Sequence, residues 1–203
     1  MRSTGMLIII SGPSGSGKGT VVNNLKDADI EYALSISLTT RKKRPGEVNG
    51  VDYFFCTESE FKSKRDQNEL LEHAVFCNNL YGTPRAYVEE QIELGKAVIL
   101  EIEVNGALQV KEKFSEAVLV FLIPPTFEEL ANRLTTRNTE SRETIKDRLR
   151  RARDEIRLID KYDYLVLNDE VGLAVDRINC IVKSEFLKPC RNKVLIDNLS
   201  EHV

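Results

Sequence analysis

Short unbroken apolar runs recur along the chain: Met6–Ile10, Ala97–Leu100 continuing to Val104, Ala117–Ile123 and Tyr164–Leu167. Runs of this length without alternation suit strands covered on both faces, as in a parallel sheet. Between them apolar residues recur at helical spacing. Helices are expected over Val21–Leu25, Arg85–Leu94 and Gly106–Phe114, and over Thr126–Leu134, where Phe127, Leu130, Ala131 and Leu134 share a face. A longer helix is predicted from Ser141, with Ile145, Leu149, Ala152, Ile156 and Ile159 stepping by four and three. The last, Glu170–Phe186, is stopped by Pro189. Strands alternating with helices predict an α/β fold, a parallel-sheet core flanked by helices.

Two segments break the rhythm. From Ile36 to about Tyr87, polar turns at Arg44-Pro45-Gly46-Glu47 and Val48-Asn49-Gly50 flank short strand candidates at Tyr53–Cys56 and Ala74–Cys77, which reads as a small mixed β/α insertion. Thr135–Ser141 is a polar connector between two helices, suited to a moving flap. The expected organisation is one domain over 1–203: a core of 1–35, 88–134 and 158–188, an insertion of 36–87, a lid of about 135–157 and a tail of 189–203.

Composition narrows the class. At 203 residues, with 41% hydrophobic and 30% charged residues, the chain can bury a full core as a soluble globular protein. A net charge of −3 gives no support to a general nucleic-acid or membrane surface. Cys56, Cys77, Cys180 and Cys190 form no C-x-x-C pair, so neither a zinc site nor a redox motif is expected. Reduced thiols and the short N-terminal apolar run point to a cytoplasmic protein.

The strongest local signal is Gly12-Pro13-Ser14-Gly15-Ser16-Gly17-Lys18-Gly19-Thr20, directly behind the first apolar run and ahead of a helix. Backbone N–H groups of such a loop converge on phosphate oxygens, and Lys18 can reach the β- and γ-phosphates of a nucleotide. In this P-loop pattern a serine or threonine normally follows the lysine to help hold Mg²⁺. Here Gly19 follows, and the hydroxyl comes one position later at Thr20.

Candidate chemistry also lies in the insertion. Arg41 and Arg44 stand three apart before a turn and Tyr53, and fixed guanidinium groups suit a phosphate monoester because each presents paired donors. A carboxylate such as Glu72 can accept two hydrogen bonds from the N1–H and N2–H₂ edge of guanine, a pattern adenine lacks. Taken alone, a basic loop is surface and a single glutamate is solvated.

Taken together, Gly12–Thr20, Ser37–Glu47 with Gly50 and Tyr53, Glu72, Tyr81-Gly82-Thr83, Ile99–Ala107, Arg133–Thr139, Arg148 and Asn168-Asp169 resemble the guanylate kinase family, in family order over about Leu7–Leu187. The resemblance implies an ATP site at Gly12–Thr20 with Asn168. It also implies a GMP site of which Thr83 is a member, in which Arg41, Arg44, Tyr53 and Tyr81 take the phosphate, Ser37 and Glu72 the guanine, and Glu103 also faces the base. Lys18, Arg133, Arg137 and Arg148, with Arg41, would be catalytic cations. Mg²⁺ would accompany ATP, held mainly by nucleotide and water, with Glu101 nearby and no direct protein ligand assigned.

Helix geometry selects Arg148 independently. At 100° per residue it lies beside the apolar stripe, about 60° from its centre, whereas Arg150 and Arg151 point away. Those two, with Arg153 and Arg157, are expected on a solvated face, partly paired with Asp154 and Glu155. Relative to the family pattern, Glu101 and Glu103 stand where an aspartate is common, Asn105 where glutamine is usual and Asn138 where glycine is usual. The activity implied is transfer of a phosphoryl group from ATP to GMP, and to dGMP, by a monomer or homodimer, for GMP recycling and guanine nucleotide supply. The alternatives are another nucleoside monophosphate kinase and a non-catalytic interaction module of the same fold.

Overall fold

The computed structural model describes residues 4–27, 29–76, 78–135 and 142–200. In chain order its elements are β1 (Met6–Ser11), α1 (Lys18–Asn23), β2 (Tyr32–Leu34), β3 (Leu38–Thr39), β4 (Phe54–Phe55), α2 (Glu58–Asp66), β5 (Leu70–Phe76), β6 (Asn79–Pro84), α3 (Arg85–Glu93), β7 (Ala97–Glu101), α4 (Val104–Lys113), β8 (Val118–Ile123), α5 (Phe127–Thr135), α6 (Arg142–Ile156), β9 (Tyr164–Leu167), α7 (Val171–Phe186) and α8 (Lys193–Ser200).

Five strands form a parallel sheet in the order β2-β7-β1-β8-β9, with Ile8 in register between Ile99 and Val118. Every residue of β1 is buried because both faces are covered. Ile8 and Ile10 pack with Val21 of α1 and Ala174, Ile178 and Val182 of α7, while Leu7 and Ile9 pack with Val88 of α3 and Ala107 and Val110 of α4. Alternate side chains of one strand thus enter opposite cores, which is why the run carries no polar positions. The result places Ser11, Glu101 and Ile123 at the C-terminal ends of the three central strands, where sites form in folds of this type.

A second sheet, β4-β3-β6-β5, lies within the expected insertion. It is mixed: β3 runs parallel to β4 and antiparallel to β6, and β5 pairs antiparallel with β6. The expected strand at Ala74–Cys77 begins earlier, at Leu70, and the register shifts between Leu70 and His73. There Leu71 joins the central core and Glu72 turns into the cleft, both almost fully buried. Cys77 and residues 136–141, most of the expected flap, lie outside the described residues. The long helix ends at Ile156, and Ile159 falls in a separate 3₁₀ turn instead of on the helical stripe.

After α7 the chain is tied back to the start of β1. Glu185, 1% exposed, accepts from the Tyr164 hydroxyl at 2.7 Å and pairs with Lys188 at 2.6 Å and with buried Arg191 at 3.6 Å. Arg191 accepts at its carbonyl from Thr4 N–H. Burial opposes ionisation of Glu185, but these partners outweigh it and hold its carboxyl below the usual range, so this stabilisation is present above pH 4.5 and lost as pH falls through the lowered value. Glu185→Ala strands the Arg191 charge and is expected to cost about 3 kcal/mol. A urea midpoint equal to that of the wild type would refute this account of the C-terminal clamp. The following α8 exposes Val194, Leu195, Ile196 and Leu199. Among the described residues, no helix is long and apolar enough to cross a membrane.

Candidate active site

The loop between β1 and α1 is shaped by glycine. Gly12 and Gly17 hold φ of 147° and 89°, and a Cβ would meet the Leu122 carbonyl oxygen at 2.2 Å on Gly12 and Asn168 Nδ2 at 2.5 Å on Gly17. The loop is therefore seated directly on the ends of β8 and β9. Asn168, buried, donates from Nδ2 to the Ser16 carbonyl at 2.7 Å, so its amide supports the loop. Lys18 Nζ donates to the Gly12 and Pro13 carbonyls at 2.7 and 3.2 Å.

One arginine from another element bonds to the same loop and a second stands beside it, Arg133 Nη1 lying 3.8 Å from where a Cβ on Gly17 would be. Arg148 of α6 donates from Nη2 to Ser14 Oγ at 2.6 Å. Arg133 of α5 donates to Glu129 Oε1 at 2.8 Å and to the Asn168 carbonyl at 3.2 Å. Three cations from three elements thus stand around one loop, while Arg137 lies outside the described residues. The outward arginines separate as geometry requires: Arg150 pairs with Asp147, Arg157 with Asp154, and Arg153 stacks on Phe127 with 4.9 Å to the ring centre. Glu155 does not share that surface pairing. Seven positions after Arg148 it falls on the same helix face, and burial, with Glu103 adding to it, pushes its carboxyl up to about 7.

A cleft of about 410 Å³ opens beside the loop. Lys18, Glu101 and Glu103 form its wall on the parallel sheet, and Ser37, Arg41, Arg44, Tyr53, Glu72 and Tyr81 its wall on the second sheet. The structure thus brings nine separately chosen residues to one cavity. Thr83 stands behind it, fully buried, donating its hydroxyl to Glu72 Oε1 at 2.8 Å. Gly106 matters for the other oxygen: a Cβ there would lie 3.1 Å from Glu72 Oε2. Burial pushes the Glu72 carboxyl up to about 7 despite the Thr83 hydrogen bond.

At the opposite end Tyr53 and Tyr81 meet edge to face, ring centres 6.1 Å apart, and Arg41 lies 5.2 Å over the Tyr53 ring. Its guanidinium is paired with Glu47 at 2.6 Å. Nearer the loop, the walls crowd Glu101 even though it faces the cleft; desolvation pushes its carboxyl up, Lys18 pulls it down and Glu103 raises it. Gly19 stands directly across, where a Cβ would be 3.6 Å from both Glu101 oxygens.

Glu47 and Gly106 line the cleft although the sequence assigns them no role, and Glu155, expected as a surface partner of the arginines, is partly buried instead. Glu47 follows Arg44 by three, a spacing that closes a turn, and Glu155 shares the Arg148 face. Nothing in the sequence separates either glutamate from solvated neighbours.

A parallel α/β sheet with a glycine phosphate loop, three cations around it and a facing pocket of arginine, tyrosine and carboxylate defines a P-loop protein with room for a second ligand beside the first. The guanylate kinase family model matches residues 4–185. The chain is 53% identical to a guanylate kinase of Oceanobacillus iheyensis, covering 98% of this chain and 100% of that one, and 51% identical to a guanylate kinase of Lactococcus lactis over 91% and 90%. A crystal structure of guanylate kinase from Anaplasma phagocytophilum superposes with a TM-score of 0.73 at 32% identity, over 94% of this chain and 90% of that one. The chain belongs to the guanylate kinase family.

Proposed function

We propose that the protein transfers the γ-phosphoryl group of ATP to GMP, and to dGMP, giving ADP and the diphosphate, and that it serves guanine nucleotide supply in the cytoplasm. The observation that carries the reading is that Lys18 of the phosphate loop and the Arg41, Tyr81 and Glu72 pocket line a single cleft. Donor and acceptor phosphates would meet there. An oxygen of the GMP phosphate attacks the γ-phosphorus as the bond to the ADP oxygen breaks, and the attacking oxygen is already anionic, so no general base is needed.

The work of the chain is to align and to neutralise. Arg41, Arg44, Tyr53 and Tyr81 hold the acceptor phosphate, with Ser37, Glu72 and Glu103 on the base. Lys18, Arg133, Arg137 and Arg148 supply positive charge to the transferred group. Closure of the 36–87 and 135–157 segments would exclude water, which could otherwise take the phosphoryl group.

The donor set fits Mg²⁺ bound with ATP. Glu101 is a carboxylate beside Lys18, Gly19 leaves space in front of it, and Mg²⁺ typically keeps several waters with one or two carboxylates and the phosphates. When bound, the ion would help neutralise the negative charge that develops on the phosphates during transfer. Among the described residues, no group of three His, Cys, Asp or Glu is gathered to hold a metal without the nucleotide.

A coupled assay of ADP formation with GMP, AMP, CMP and UMP in turn tests the reading. Strong preference for GMP is the expected result. Preference for another nucleotide would move the chain to a different acceptor, and inactivity with all four would leave an interaction module.

A further inference from the structure

Arg41 is a tightly held cation of the cleft, and Glu47 is its main partner. Nη1 and Nη2 donate to Glu47 Oε2 and Oε1 at 3.1 and 2.6 Å, and Nη1 also donates to the Lys42 carbonyl at 2.9 Å. The guanidinium lies 5.2 and 5.8 Å from the ring centres of Tyr53 and Phe55. An arginine has five N–H donors in a rigid fork. With its outer end committed to Glu47, Arg41 has its other edge, shared with Tyr81, to offer to an anion.

Glu47 is itself fixed by backbone. Its N–H donates to the Arg44 carbonyl at 3.2 Å, and the Arg44 N–H donates back to Glu47 Oε2 at 2.8 Å. The turn needs Gly46 at a φ of 90°. This reciprocal closure places the carboxylate through the turn, whatever lies in the cleft. One oxygen thereby joins Arg41, whose side chain is 13% exposed, to the backbone of Arg44, the second cation of the pair.

We propose that Glu47 is a positioning residue for the acceptor phosphate: it holds the Arg41 fork and the Arg41–Glu47 turn in receiving geometry, and it stays in place when the phosphate binds. This role rests on the proposed GMP acceptor. The opposite role would be a placeholder, a carboxylate occupying the guanidinium until phosphate displaces it. The two predict opposite signs. Loss of a positioning carboxylate frees Arg41 to rotate and weakens phosphate binding, whereas loss of a competitor strengthens it.

The test is titration of wild type, Glu47→Ala and Glu47→Gln with GMP and with guanosine, which lacks the phosphate, alongside KM and kcat. Glu47→Ala is expected to weaken GMP binding by about ten- to a hundredfold, the range for a charged hydrogen-bond pair, with guanosine binding and KM for ATP unchanged. Glu47→Gln retains one acceptor oxygen and should recover part of the loss. Unchanged or tighter GMP binding in Glu47→Ala overturns the role. An equal loss of guanosine binding also overturns it, because the effect would then be folding of the second sheet. A wild type that fails to bind GMP would sink the acceptor assignment itself and this role with it, a result visible before any substitution.

Discussion

Lys18→Ala and Arg148→Ala each lower turnover with ATP and GMP by about a thousandfold or more, the scale on which phosphoryl-transfer cations act. The expectation follows from where the charges stand. Lys18 Nζ sits at the mouth of the phosphate loop on the Gly12 and Pro13 carbonyls, and Arg148 reaches Ser14 Oγ at 2.6 Å from a separate helix. A phosphoryl group in transfer spreads negative charge over its equatorial oxygens, and fixed cations lower that barrier without reorganising. Alanine removes the charge but leaves the glycine geometry and the Asn168 support of the loop intact. Steady-state turnover decides the matter: a near-normal rate in either variant removes that residue from the machinery. Arg150→Ala is the control, since its side chain is 78% exposed and pairs only weakly with Asp147. It should stay within about twofold of wild type.

The sequence shows its parallel core clearly because burial on two faces leaves an unmistakable record. No polar residue interrupts Met6–Ile10, and the strand forms there, extended only by Ser11. The second sheet is harder to read. Strands β3 and β4 have two residues each, too short for any period, and β6 carries Gly82 and Pro84, which read as breakers. Gly82 is there because a Cβ would lie 2.9 Å from Leu70 Cδ1 and 3.0 Å from the Glu72 carbonyl, a packing reason invisible without the partner strand. The start of α2 is legible as a capping box, Thr57 with Glu60. Charged residues are the least legible. Composition and spacing alone do not separate Glu47, Glu72 and Glu155, and their surroundings distinguish a turn clamp, a buried carboxyl and a partly buried acid of α6.

Glu72→Gln is expected to lower kcat/KM for GMP by about a hundredfold or more, with little change toward other acceptors. Guanine offers two donors, N1–H and N2–H₂. A carboxylate meets both with acceptors, while a glutamine must present an N–H to one of them. The Thr83 hydroxyl on Oε1 and the space at Gly106 beside Oε2 hold the group in one orientation, so Gly106→Ala, which crowds Oε2, should reproduce part of the loss. Unchanged discrimination between GMP and AMP in Glu72→Gln would end the base-reading role. The same carboxyl predicts a pH dependence with a definite sign. Burial pushes it up to about 7, so it is protonated below that value, and guanine must draw the proton off to bind. KM for GMP should therefore rise as pH falls below about 7, by up to about tenfold per unit. The GMP phosphate titrates near pH 6 as well, and Glu72→Gln isolates the two, since its slope retains only the phosphate. Stability follows the opposite course. The folded protein keeps this proton while the unfolded chain releases it from 4.5 upward, so the wild type loses stability between pH 4.5 and 7. Glu72→Gln avoids that loss and should be the more stable protein at pH 8, with the difference gone near pH 4.5. Chemical denaturation at the two pH values measures it, and parallel curves would mean that Glu72 is ionised throughout.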